Sequence, residues 1–195
     1  MTIQAVGSAS GTLPNPNPPP AFGLAADSPA TPIYHYTTGD RFAAIVQAGE
    51  IRVSRGGVEP PEIPAVWLST ADTWEASASK GVITNGQRRI ATMDEMIRWC
   101  GCLVRIRIDP ALVDLIPAAG LPAALSIPAW SFIRLVASGL AMGANPSDWR
   151  ATLAPIPITA FAGVEFAVET QPVHWHPGRV MTRETAVGQA VLAQF

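Results

Sequence analysis

Proline sets the grain of this chain. Nineteen prolines are spread through 195 residues. Each removes a backbone donor and interrupts the helical ladder of any segment that holds it. The strongest case is Leu115 to Ile133, which has 19 residues without a charge. It has the hydropathy of a membrane span. Yet Pro117, Pro122 and Pro128, with Gly120, would break its helical ladder repeatedly, so a buried irregular segment is expected instead.

Seven of the prolines fall in residues 1 to 32, among Asn, Ser, Gly and Ala, with Asp27 the one charge and Phe22 the one aromatic. That composition reads as a Pro-rich, disordered leader. It has no basic region followed by an apolar stretch, so no signal peptide is read. Residues 33 to 195 are expected to form one domain, with 13 basic and 14 acidic side chains. The whole chain is 48% hydrophobic and 14% charged, which is ample for a core and excludes disorder throughout. A net charge of -2 argues against a strongly basic nucleic-acid binder. Cys100 and Cys102 are too close to bridge easily and too few for a disulfide framework, which points to the reducing cytoplasm.

Aromatic and β-branched residues alternate in Ile33-Tyr34-His35-Tyr36-Thr37, the pattern of a strand. Thr38 or Asp40 then caps a helix carrying Phe42, Ile45 and Val46 on one face, and Gly49 ends it. Ala65-Val66-Trp67-Leu68-Ser69 reads as a further strand, and Thr70 or Asp72 starts a short helix running to Lys80. Met93, Met96, Ile97 and Cys100 share a helical face within Ile90 to Cys100. Cys102 to Ile108 alternates cleanly, as a half-buried strand does. Trp130 to Leu135 reads as a strand or the start of a helix. Ser147 to Arg150 reads as a helical turn. Ile156 to Ile158 and Gly163 to Glu169 are expected strands. Val180-Met181 and Val187 to Leu192 are read as a strand and a closing helix. Short strands, few helices and long loops argue for an α+β domain.

Walker, Rossmann, α/β-hydrolase and zincin signatures are absent. His174 and His176 flank Trp175 but lack a third ligand at suitable spacing, so surface histidines are preferred to a metal site. On the strand Gly163 to Glu169, Val164, Phe166 and Val168 share one face, and Glu165 and Glu169 the other. Arg88, Arg89, Arg98, Arg105 and Arg107 are a candidate basic strip for nucleic acid.

Three segments in order carry a more specific pattern. "Ile-Tyr-His-Tyr-Thr" followed by "Ile-Val-Gln-Ala-Gly-Glu-Ile", then "Val-Trp-Leu-Ser", then "Gly-Val-Glu-Phe" resemble the ADP-ribosyltransferase superfamily of the His–aromatic–Glu type, over about residues 33 to 170. The resemblance implies split mixed or antiparallel sheets with short helices and long loops. It implies an NAD-consuming enzyme that cleaves the nicotinamide–ribose bond and passes ADP-ribose to a nucleic-acid or protein acceptor, or to water. A bacterial toxin or phage-conflict role would suit such a domain, with no membrane partner. By the same resemblance His35 would hold the adenosine ribose and Thr37 would assist. Trp67 or Trp74 would stack on the nicotinamide where tyrosine is usual, and Ser69 would hold the second strand or touch the nicotinamide ribose. Arg55, in a Gly loop, or Arg41 or Arg52 would meet the pyrophosphate. Glu165 would stabilise the oxocarbenium-like centre, with Glu169 as the fallback. Gly163 and Ala167 leave no Glu-x-Glu, which disfavours arginine as the acceptor. The rival expectation is a nucleotide- or protein-binding module on the same fold without chemistry. The expectation open to a direct geometric test is that His35, Trp67 or Trp74, and Glu165 meet in one cleft.

Overall fold

The structure is a computed structural model that describes residues 31–170 and 173–178. The leader expected over 1–32 and the elements expected at Val180-Met181 and Val187 to Leu192 lie outside these residues, apart from the leader's last two positions.

In chain order the elements are β1 (Ile33–Thr38), α1 (Gly39–Ala48), β2 (Glu50–Ile51), β3 (Val66–Ser69), β4 (Gly81–Thr84), β5 (Gln87–Ile90), α2 (Met93–Cys100), β6 (Leu103–Ile108), β7 (Ile116–Pro117), α3 (Leu121–Ala124), α4 (Ala129–Ala141), β8 (Trp149–Thr152), β9 (Ile156–Pro157), β10 (Phe161–Ala167) and β11 (His176–Gly178). Seven strands form one sheet in the order β11-β10-β6-β1-β3-β8-β7, and every registered pair is antiparallel. Two small ribbons, β2-β9 and β4-β5, complete an α+β architecture.

Local chemistry explains the boundaries. Thr38 is the extended N-cap of α1, and Gly49 ends that helix at φ 75° while its N–H reaches the Ile45 and Val46 carbonyls. Only glycine enters that left-handed region cheaply. Thr92 and Glu95 form a reciprocal capping box at the start of α2. The sequence reading placed Ile90 in that helix, but Ile90 closes the β4–β5 hairpin, whose turn is Asn85-Gly86. Trp130 to Leu135 is helical, inside α4. The expected helix before Lys80 is a single turn, Ala76–Ala78, and Ser147 to Arg150 divides between a turn and β8. In the segment Leu115 to Ile133, α3 is four residues long with Pro122 inside its first turn, and Pro128 precedes α4. Among the described residues no helix is long and apolar enough to cross a membrane.

Successive residues along a strand face opposite sides of the sheet, while cross-strand partners face the same side. Ile33, Val66, Leu68, Val104, Ile106, Ile108, Val164 and Phe166 accordingly build one core with Phe42 of α1. Trp149 and Ala151 face the other way, into a second core with Leu121 and Leu125; Trp67, Phe132 and Val136 pack against it. A Cβ at Gly139 of α4 would fall 2.5 Å from the Trp149 ring, so the helix lies directly on that indole.

Candidate functional site

The sheet is fully zipped on one side of β1 and barely on the other. β1 pairs with β6 over six residues, from Ile33↔Ile108 to Thr38↔Leu103. With β3 it shares one registered pair, Tyr34↔Ser69. His35 Nδ1 reaches across the parting strands to the Trp67 carbonyl at 2.9 Å. A carbonyl can only accept, so Nδ1 is the donor and carries the proton. Burial pushes the His35 pKa below its ordinary value, with Lys80 adding a smaller push and the Trp67 bond opposing. The ring is therefore neutral at pH 7, and Nε2 holds a lone pair. Among the described residues Nε2 makes no hydrogen bond, and the ring lines the cavity described next.

A cavity of about 390 Å³ opens at this parting. Tyr34, His35, Tyr36, Trp67, Ser69 and Trp149 line it from the sheet, Glu75 and Lys80 from the segment after β3, Arg52 and Ser54 from the loop after β2, and Leu135, Ser138 and Gly139 from α4. That size and mixed lining are typical of a small-molecule site.

Its acid is one that sequence reasoning missed. Glu75 is buried, at 6% exposure, in the wall of this cavity. Its carboxylate accepts from Ser69 Oγ at 2.6 Å, Ser77 N at 3.1 Å, Ser77 Oγ at 2.6 Å and Trp149 Nε1 at 3.3 Å. The signal lay in the run Trp74-Glu75-Ala76-Ser77, where an acid two residues before a serine caps a turn. Two cations share the cavity, Arg52, 3.5 Å from Glu50, and Lys80.

The structure divides the expected site residues. His35, Trp67 and Ser69 line the cavity. Trp74 does not; its ring stands edge-on to Tyr36 at 5.4 Å and its N–H bonds Ser79 Oγ at 3.1 Å. Thr37 is buried on the core face opposite Val104. Arg55 is exposed and outside the lining, where Arg52 stands instead.

Glu165 is the principal correction. The register runs His35↔Ile106↔Val164, and one residue along it runs Tyr36↔Arg105↔Glu165. His35 and Glu165 therefore face opposite sides of the sheet, and Glu165, unlike Ser69 and Trp149 on its own side, does not line the cavity, so the expected meeting of the two does not occur. Glu165 is held by Arg105, with Nε–Oε2 at 2.7 Å and Nη2–Oε1 at 3.1 Å. The guanidinium lies over Tyr34 and Trp175, 4.8 and 4.6 Å from their ring centroids, and also donates to the Asp72 carbonyl. Tyr36 donates to the Ala71 carbonyl, and burial raises its pKa against the opposing pull of Arg105. This is an internal polar plug beside the cavity. Glu169 lies beyond the end of β10. His176 pairs with Phe166 on β11. Of the five arginines of the expected basic strip, Arg105 is bound to Glu165, Arg89 to Glu95 and Arg107 to the Ala162 carbonyl.

Set against known proteins, the chain matches no family model, no curated protein and no solved structure.

Proposed function

We propose that the chain binds NAD in the cavity between β1 and β3 and cleaves its nicotinamide–ribose bond, handing ADP-ribose to an acceptor or to water. The observation that carries this reading is a single cavity holding a neutral histidine with a free Nε2, aromatic walls, two cations and one buried carboxylate. Each matches a part of the ligand. His35 Nε2 accepts a hydrogen bond from a ribose hydroxyl. Arg52 and Lys80 offset the charge of the pyrophosphate. Tyr34, Tyr36 and Trp67 line the cavity and would give a base or the cationic nicotinamide an aromatic wall.

Cleavage leaves positive charge on the ribose as the bond to nicotinamide lengthens. A fixed carboxylate in a water-poor wall stabilises that charge without reorganising. Glu75 fills this role in place of Glu165, and Ser69, Ser77 and Trp149 hold it in one orientation. The free thiols of Cys100 and Cys102 fit a reducing cytoplasm, where NAD is at hand. The acceptor would be a protein or a nucleic acid.

The test is nicotinamide release from NAD by the parent and by Glu75→Gln. Glutamine keeps the shape; its oxygen retains the Ser77 and Trp149 donors and its amide donates to Ser69 Oγ. Release falling by about 10²–10³, the scale of one lost electrostatic contact, supports the reading. Equal rates remove Glu75 from the chemistry. A second reading, binding without turnover, has its own support in the four donors that already occupy the Glu75 carboxylate. NAD binding with no release by the parent decides for it.

A further inference from the structure

Lys80 is the one lysine of the chain, in which every other side-chain cation that stays charged is an arginine. Its backbone is fixed where the cavity wall becomes the β4–β5 hairpin, with the Ala91 N–H donating to its carbonyl at 2.8 Å. The residue keeps exposed surface and lines the same cavity as Arg52 and His35. Among the described residues it makes no ion pair. An arginine would serve phosphate equally well here, and better where two oxygens are gripped. What lysine alone supplies is a primary amine that can become nucleophilic. Desolvation lowers its pKa, Arg41 adds to that, and the pull of Asp40 and Cys100 the other way is smaller.

We propose that Lys80 is a covalent anchoring site, whose amine captures the aldehyde of a phosphorylated sugar held in the cavity. Arg52 takes the phosphate and Lys80 the carbonyl carbon. The nitrogen lone pair forms the C–N bond as the carbonyl π pair moves to oxygen. The two amine protons then leave with that oxygen as water, and a C=N imine remains. The ring-opened ribose of ADP-ribose belongs to this ligand class. Product of the cleavage proposed above would therefore mark the protein at Lys80. The natural ligand rests on that reading; the amine's reactivity does not.

The test uses the full chain and pyridoxal 5′-phosphate, an aldehyde with a phosphate, in the presence of Nα-acetyl-lysine amide as an ordinary amine in the same tube. Borohydride reduces imines to stable amines, and peptide mass spectrometry reads the label. The expected result is labelling at Lys80 several-fold faster than the ordinary amine, slowed by inorganic pyrophosphate. Lys80→Arg, with an unchanged melting temperature, should lose that label. Labelling no faster than the ordinary amine overturns the proposal. So does fast labelling that pyrophosphate leaves untouched, because the amine would then react outside the cavity. Nicotinamide release, measured separately, judges the NAD reading, so the two failures are distinguishable.

Discussion

Glu165→Gln separates a catalytic carboxylate from a structural one. In the folded protein this side chain receives two hydrogen bonds from a guanidinium whose side chain is 11% exposed, while Glu165 is 27% exposed. Removing one partner of a fully buried ion pair costs about 3–5 kcal/mol. Two features reduce that here. Glutamine keeps one oxygen for the guanidinium, and Arg105 retains the Asp72 carbonyl and its two aromatic neighbours. The expected loss is therefore about 1–2 kcal/mol, the range of one charge-assisted hydrogen bond in partly screened surroundings. In a domain of this size that is a fall in melting temperature of about 2–8 °C. Nicotinamide release per folded molecule should be unchanged. Thermal melts and release assays on the same preparations check both statements. A variant that melts like the parent but has lost release would refute the argument, and would return the catalytic role to Glu165.

Other expected outcomes follow from particular contacts. Glu95 is held by Arg89 and by the Thr92 cap, which depress its carboxyl pKa to about 2. Its contribution is thus present above the unfolded carboxyl range and lost as pH falls through that value; melts of parent and Glu95→Gln should differ at neutral pH and converge near pH 2. His35 has linkage of the same sign in a higher pH range, because the unfolded chain takes its proton first as pH drops below about 6.5. Stability should fall with pH below that point, NAD affinity only at the lower pH where the folded ring takes a proton, and His35→Gln should flatten the stability profile. Gly139→Ala places a methyl 2.5 and 2.7 Å from Trp149 ring atoms, so α4 or the indole must shift. The expected cost is about 1–3 kcal/mol by thermal melt, with weakened NAD binding because Trp149 also orients Glu75.

Much of the scaffold was legible in the residues. Alternation exposed β1, β3 and β6, and Gly49 and Thr38 marked the ends of α1, because these signals are local. The α+β class followed from short strands, few helices and long loops. The site was legible only in part. The order of the motifs brought out His35, Trp67 and Ser69, which line the cavity, but Glu165 does not meet His35, for a long-range reason. Its face relative to His35 depends on the β6 register between them, where Tyr36, Arg105 and Glu165 form one row. The arginine alternation that suggested a basic strip instead supplied the partner that engages Glu165. Glu75 was overlooked because a lone acid in a turn looks solvated; only the return of Trp149 against it, 74 positions away, makes it a buried group. Arg52 and Arg55 were indistinguishable by sequence, since the cavity wall is set by how the loop after β2 approaches β3 at Ser54↔Ala65.

The most direct measurement is a crystal structure of the chain with a non-cleavable NAD analogue. The account requires a ribose hydroxyl on His35 Nε2, the pyrophosphate between Arg52 and Lys80, and the nicotinamide ribose facing Glu75. Ligand seated against Glu165 on the far side of Arg105, or an empty cavity at saturating analogue, would contradict it.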